Sequence, residues 1–160
     1  MTPSAPALPV STLDRLEIQE LVTRYNHAVD RDDFESWVAC FTADGAFEGV
    51  AGRYEGAGEL RAFVTALGSA PEWAAFRPMR HWTTNFVIDY DGAGDGGSVS
   101  GRPTTARMRA DHLLVRQGPE AVELLLLAAY RDRLRREHGR WLFRERVVTP
   151  AAVAQPPASA

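Results

Sequence analysis

The chain has 160 residues, 45% of them hydrophobic and 24% charged, with 21 acidic and 18 basic side chains and a formal charge of −3. Every basic residue is arginine and none is lysine, which excludes Schiff-base chemistry on a lysine amine and any phosphate loop that ends in lysine. The charge balance gives no drive toward nucleic acid or an anionic membrane, and the single Cys40 cannot close an intrachain disulfide, so a globular, cytoplasmic protein is expected.

Residues 1–10 and 151–160 are rich in Ala, Pro and Ser without periodicity, and are expected to be flexible tails on one domain of residues 11–150. The first residues lack the basic and apolar regions of a signal peptide. The longest apolar run, Leu124 to Tyr130, is too short to span a bilayer. The first predicted element is an amphipathic helix from about Thr12 to Asp30, with Ser11 and Asp14 at capping-box spacing and Leu21, Val22, Tyr25, Ala28 and Val29 on one stripe. A second helix is predicted from Asp32, with Glu35 at the capping-box position and Phe34, Trp37, Val38 and Phe41 at helical spacing; Asp44-Gly45 is expected to stop it. The segments AFEGV and RYEG read as a short extended stretch with a turn, and GELRAFVTALGS returns to helical period through Leu60, Phe63, Val64 and Leu67.

After Pro78 the period changes to two. Met79 to Tyr90, Thr104 to Arg116, Ala121 to Arg136 and Arg140 to Val148 read as strands separated by DGAGDGG, Gln-Gly-Pro and His-Gly. Helices followed by an antiparallel meander make an α+β fold. A curved sheet whose apolar face is covered by three helices predicts a cone with an apolar pocket between the layers.

Asp30 ends the first helix on the side close to Tyr25, because five residues turn about 140° around a helix axis. It reads either as a turn residue in a cluster with the caps Asp32 and Asp33 or as a carboxylate aimed under the sheet. In the strand that follows Pro78, Met79, His81, Thr83 and Asn85 share one face. His81 is then a hydrogen-bonded core residue or a general base, and the choice turns on whether it meets a carboxylate. His112 shares a face with Met108, Ala110 and Leu114, and Tyr130 with Leu126 and Ala128; both fit a pocket lining or a structural role. Gly92, Gly94 and Gly97 match GxGxxG, but a strand follows where a phosphate-cradling helix is required, so they read as a hairpin loop. Four histidines without paired spacing and a lone Cys40 predict no metal site. The run Arg131, Arg133, Arg135, Arg136, interleaved with Asp132 and Glu137, reads as a solvated strand end.

The order of elements and six local patterns resemble the SnoaL-like branch of the nuclear transport factor 2-like superfamily. The patterns are Tyr25 with Asp30; Trp37 and Phe41 with Asp44-Gly45; Arg80-His81 with Thr84-Asn85; Ala129-Tyr130 with Asp132; Gly139 with Trp141; and Arg146-Val147. The resemblance implies a cone-shaped α+β barrel and a cofactor-free dehydratase, isomerase or cyclase acting on a hydrophobic polycyclic or polyketide-like molecule. It further implies an Asp30–His81 dyad assisted by Tyr25, in a pocket lined by His112, Tyr130, Trp37, Phe41, Met79, Met108 and Arg146. The scytalone dehydratases keep an asparagine where Tyr130 falls, and the hexachlorocyclohexane dehydrochlorinases a lysine near Tyr25; this chain departs from both. A homodimer or homotrimer is expected on the same ground. The competing reading is a non-catalytic ligand-binding or assembly subunit, comparable to the small subunits of ring-hydroxylating dioxygenases.

Overall fold

The computed structural model describes residues 12–91 and 102–151. The expected tails lie outside these residues apart from Ala151, as do Ser11 of the predicted capping box and the loop containing Gly92, Gly94 and Gly97. The elements in chain order are α1 (Thr12–Asp30), α2 (Phe34–Val38), β1 (Phe41–Gly49), β2 (Gly52–Glu55), α3 (Gly56–Ser69), α4 (Pro71–Ala74), β3 (Met79–Asp91), β4 (Thr105–Gln117), β5 (Val122–Glu137) and β6 (Arg140–Pro150). The six strands form one sheet in the order β2-β1-β6-β5-β4-β3. All neighbours are antiparallel except β1 and β6. Because β2 and β3 each have a free edge, the sheet curves without closing into a barrel.

Helix α1 forms where its period predicts it, and its stripe of Ile18, Leu21, Val22, Tyr25 and Val29 is buried against the sheet. Asp32 ends it with a left-handed backbone (φ 59°), a conformation that Asp tolerates better than most residues. Asp33 then caps α2 by accepting a hydrogen bond from the Ser36 N–H. Helix α3 starts with the Glu59 carboxylate accepting from the Glu55 N–H, and Pro71 opens the single turn of α4.

The second predicted helix is much shorter than its apolar spacing implied. The chain leaves α2 after Val38, and Phe41 is the first residue of a strand rather than the last turn of a helix. Its ring still meets the Trp37 ring at 5.0 Å, so both geometries deliver it to the same core and the spacing could not separate them. Asp44-Gly45 lies inside β1, in a bulge between Phe41 and Ala46. A Cβ on Gly45 would stand 2.8 Å from Phe41 Cβ, 2.9 Å from the Thr42 carbonyl and 3.0 Å from that of Phe143. Glycine is therefore used here for close backbone approach, not to stop a helix.

Bulges also interrupt the β3–β4, β4–β5 and β5–β6 ladders, and each increases the local twist that bends the sheet over the helices. The bulge in β3 falls between Thr84 and Val87, with Asn85 left-handed at φ 56°. Met79, His81 and Thr83 point inward before it; Phe86, Ile88 and Tyr90 do so after it, while Asn85 is exposed and bonds Asp111. This switch of face is why strict alternation across β3 looks mixed in the sequence. On the outer face of the sheet Trp82, Leu113 and Leu127 lie in register, with Trp82 56% exposed. Among the described residues no helix is long and apolar enough to cross a membrane.

Candidate active site

Asp30 is the last helical residue of α1, and its side chain is only 3% exposed. Its Oδ1 stands 2.7 Å from His81 Nδ1, and both carboxylate oxygens accept from the His81 backbone N–H at 3.2 Å. These contacts fix the imidazole by its side chain and its main chain together. With Nδ1 carrying the proton toward the carboxylate, Nε2 keeps its lone pair, and no described group bonds it. The His81 side chain is 10% exposed, so the ring sits at the margin of the interior.

Two further links hold α1 and β3 at this spacing. Asn26, one helical turn before Asp30, donates to Thr83 Oγ1 at 3.1 Å, two residues beyond His81. Arg77 donates to the Asp30 carbonyl at 3.1 Å and pairs with Asp32, tying the entry of β3 to the end of α1. Trp73 of α4 lies 6.4 Å from the His81 ring and is half-buried.

Behind His81 the rings form a column across four adjacent strands. His81 of β3 stacks on His112 of β4 at 5.0 Å, and His112 stacks on Tyr130 of β5 at 4.6 Å. The Arg146 guanidinium of β6 then lies 4.0 Å from the Tyr130 ring, 4.0 Å from Phe143 and 4.3 Å from Tyr25. Diagonal cross-strand spacing brings such rings together. Arg146 is held by a two-pronged bond to Asp132, at 3.0 and 2.7 Å, with both side chains 0% exposed. Leaving either charge without the other would cost about 3–5 kcal/mol, which makes the pair a fixed wall of the interior rather than a mobile one.

Burial sets the protonation of these groups. It drives His112 down to about 3, helped by the charges of His81 and Arg146 and opposed by a hydrogen bond with the Trp82 backbone, so the ring is neutral. Burial raises Tyr25; the Arg146 charge and the nearby Trp37 and Arg146 side chains oppose that rise, and the hydroxyl stays a proton donor. Burial also pushes Tyr130 well above its ordinary value, and it raises Asp132 against the pull of Arg146. For Arg146 burial works against the charge, but Asp132 outweighs it and the guanidinium stays protonated.

The structure brings Asp30, His81, His112, Tyr130, Arg146 and Tyr25 into one connected group. Trp37 and Phe41 pack on Tyr25 at ring distances of 5.5 and 6.1 Å, and Met108 lies in the same core. Met79 is buried two residues from His81 but outside that cluster. The described cavities, of about 410 to 500 Å³, are lined by none of Asp30, His81 and Tyr25. Among the described residues no cluster of His, Cys, Asp and Glu could hold a metal ion.

Two expectations are corrected. Asp132 and Arg136 are not part of a solvated strand end: Asp132 is buried under Arg146, and Arg136 turns inward to pair with Asp14. Asp14 is itself buried and accepts from the Trp141 indole N–H, so it belongs to the core. Cys40 lies in the turn before β1, not in a helix; its thiol bonds the Ser36 carbonyl, and burial pushes its pKa up to about 11. Asn26, Trp73 and Arg77 were not singled out in the sequence. Asn26 carried a signal, as a polar residue inside the buried stripe of α1. Arg77 and Trp73 carried none.

Comparison with solved structures places the chain beside Rv3472 from Mycobacterium tuberculosis, a protein of unknown function. The two share 27% identity at a TM-score of 0.72, over 92% of this chain and 78% of that one. A Nostoc punctiforme protein of unknown function with a cystatin-like fold gives 28% identity and a TM-score of 0.71, over 90% of this chain and 96% of that one. ActVI-ORFA from Streptomyces coelicolor shares the fold at 20% identity and a TM-score of 0.72, over 90% and 99%. No curated protein matches the sequence significantly. Residues 10–147 match the SnoaL-like domain model, and the chain belongs to that family.

Proposed function

We propose that the protein is a cofactor-independent acid–base enzyme, a dehydratase, isomerase or cyclase, acting on a hydrophobic polycyclic or polyketide-like ketone. The observation that carries this reading is the 2.7 Å contact between Asp30 Oδ1 and His81 Nδ1, which leaves Nε2 as an oriented base beside an apolar interior. Substrate is taken to approach His81 on the side of the half-buried Trp73. Nε2 takes a proton from the carbon next to the ketone, and the C–H electron pair moves into an enolate. The Tyr25 hydroxyl donates a hydrogen bond to the enolate oxygen, a bond worth more in a water-poor site than in solution. Asp30 stabilises the imidazolium that forms, the role a triad carboxylate plays toward its histidine.

In a dehydration the enolate then expels a β-hydroxyl group, and the imidazolium returns its proton so that water leaves and His81 is neutral again. Returning the proton to another carbon gives isomerisation, and attack of the enolate carbon on an internal carbonyl, whose alkoxide then takes the proton back from the imidazolium, gives cyclisation. The test is dehydration of a β-hydroxytetralone to the corresponding naphthol, followed by the naphthol's fluorescence. The wild type is expected to turn it over, and Asp30→Asn and His81→Ala to lower kcat by about 10²- to 10⁴-fold while keeping the folded circular-dichroism spectrum. Both folded variants at wild-type kcat would refute the dyad.

A further inference from the structure

Helix α1 has two working faces, and only the inner one serves the site above. Its outer face presents Glu20, Thr23, Arg24 and His27 at helical spacing, with Arg31 in the turn that follows, above a groove of about 500 Å³ closed on the far side by Arg140 and Leu142 of β6. Leu21, Ala28, Cys40 and Leu142 make the floor, and the first three are buried. The rim is charged. Most arginines of this chain are paired with carboxylates; of the six that make no ion pair among the described residues, Arg24, Arg31 and Arg140 line this groove and Arg15, Arg80 and Arg131 do not. Arg31 is held only by a long 3.5 Å bond to the His27 carbonyl.

Two carboxylates share the rim. Asp33 already accepts from the Ser36 N–H as the cap of α2, and Glu20 is in no ion pair among the described residues. Three guanidinium groups therefore face two carboxylates, with His27 also on the lining, on a chain whose overall charge is −3. The charge of Arg24 also acts on the Cys40 thiol at the floor, where it opposes the effect of burial.

We infer that this groove is a second ligand site, distinct from the Asp30–His81 dyad, and that it takes a small organic carboxylate with an apolar body. A groove of this volume falls in the range of small-molecule sites, which pair an apolar lining with a few charged groups that fix orientation. A planar guanidinium matches a carboxylate through two parallel hydrogen bonds, and the floor of Leu21, Ala28 and Leu142 offers the ligand's hydrocarbon part a dry surface. Asp30 faces the opposite side of α1, and neither it nor His81 lines the groove.

Isothermal titration with octanoate, acetate and octylamine at low salt tests the site, because the three probes separate charge sign from apolar body. Wild-type protein is expected to bind one octanoate per chain about tenfold or more tighter than either acetate or octylamine. Arg24→Gln/Arg140→Gln is expected to weaken octanoate about tenfold or more, and Asp30→Asn to leave it unchanged. The changed side chains are exposed, and the single Arg140→Gln variant repeats the test if the double variant is unstable. Amide NMR shifts on octanoate addition are expected at Ser36, Cys40 and Leu142. The inference is overturned if wild type does not bind octanoate, if octylamine binds as tightly, if the arginine variants keep wild-type affinity, or if the shifts centre on His81.

Discussion

His112 occupies a position where a second proton has nowhere to go. Its ring lies between those of His81 and Tyr130, its Nδ1 is buried without a partner, and burial drives its pKa from 6.5 to about 3. In the unfolded chain the same imidazole takes up a proton near pH 6.5. Between those values the unfolded state binds the proton and the folded state does not. Stability from this group is therefore complete above pH 6.5 and falls as the pH drops toward 3, by at most about 1.4 kcal/mol per pH unit. Replacing the ring with one that cannot be protonated removes this slope. Urea unfolding of wild type and His112→Phe from pH 7 to pH 4 is expected to show the wild type losing more stability than the variant. Parallel losses would mean that His112 takes up its proton at the same pH in the folded and unfolded chains. The meeting of Asp30 with His81 was legible in the sequence only through family likeness, since a carboxylate ending a helix and a histidine opening a strand have no spacing that joins them. Asp132 was more legible than its reading allowed: Tyr130, Asp132 and Leu134 alternate along one inward face, and the surrounding arginines obscured that pattern.

At the scale of elements the periodic segments were legible and the irregular ones were not. Helix α1, helix α3 and the four long strands follow their hydrophobic periods to within one or two residues. The second half of β1 and β2 follow the extended reading of AFEGV and RYEG, but the first half of β1 does not, because what selects it is parallel pairing with β6, about 100 residues further along the chain, as in Phe41 with Phe143. No local pattern reports such a partner. Gly45 lies in the bulge of this pairing, and there the sequence does contain a consequence that can be measured. An added methyl group would sit 2.8 to 3.0 Å from Phe41 Cβ and the Thr42 and Phe143 carbonyls, so the backbone of the bulge has to shift. Gly45→Ala is expected to destabilise the protein by about 1–3 kcal/mol in urea unfolding without changing the denaturant slope. A change below about 0.5 kcal/mol would show that the β1–β6 bulge is less closely packed than described.

For the whole molecule, the arrangement separates support from chemistry. The buried Asp132–Arg146 pair and the aromatic rings of Tyr25, Trp37, Phe41 and Phe143 fill one part of the interior and set its walls. The Asp30–His81 pair stands at the margin, where α1 meets the first turn of β3 and Trp73 covers it only partly. The lack of lysine, read first as the exclusion of amine chemistry, has a structural counterpart. Among the described residues the one cation in contact with the Tyr25 ring is the Arg146 guanidinium, already engaged with the Asp132 carboxylate. Proton abstraction from carbon is the central claim, and hydrogen–deuterium exchange reports it without needing the natural substrate. β-Tetralone in D₂O, followed by proton NMR, is expected to exchange its α-hydrogens about 10²-fold or more faster with wild type than with Asp30→Asn or His81→Ala. Exchange no faster with wild type than with either variant would contradict the account.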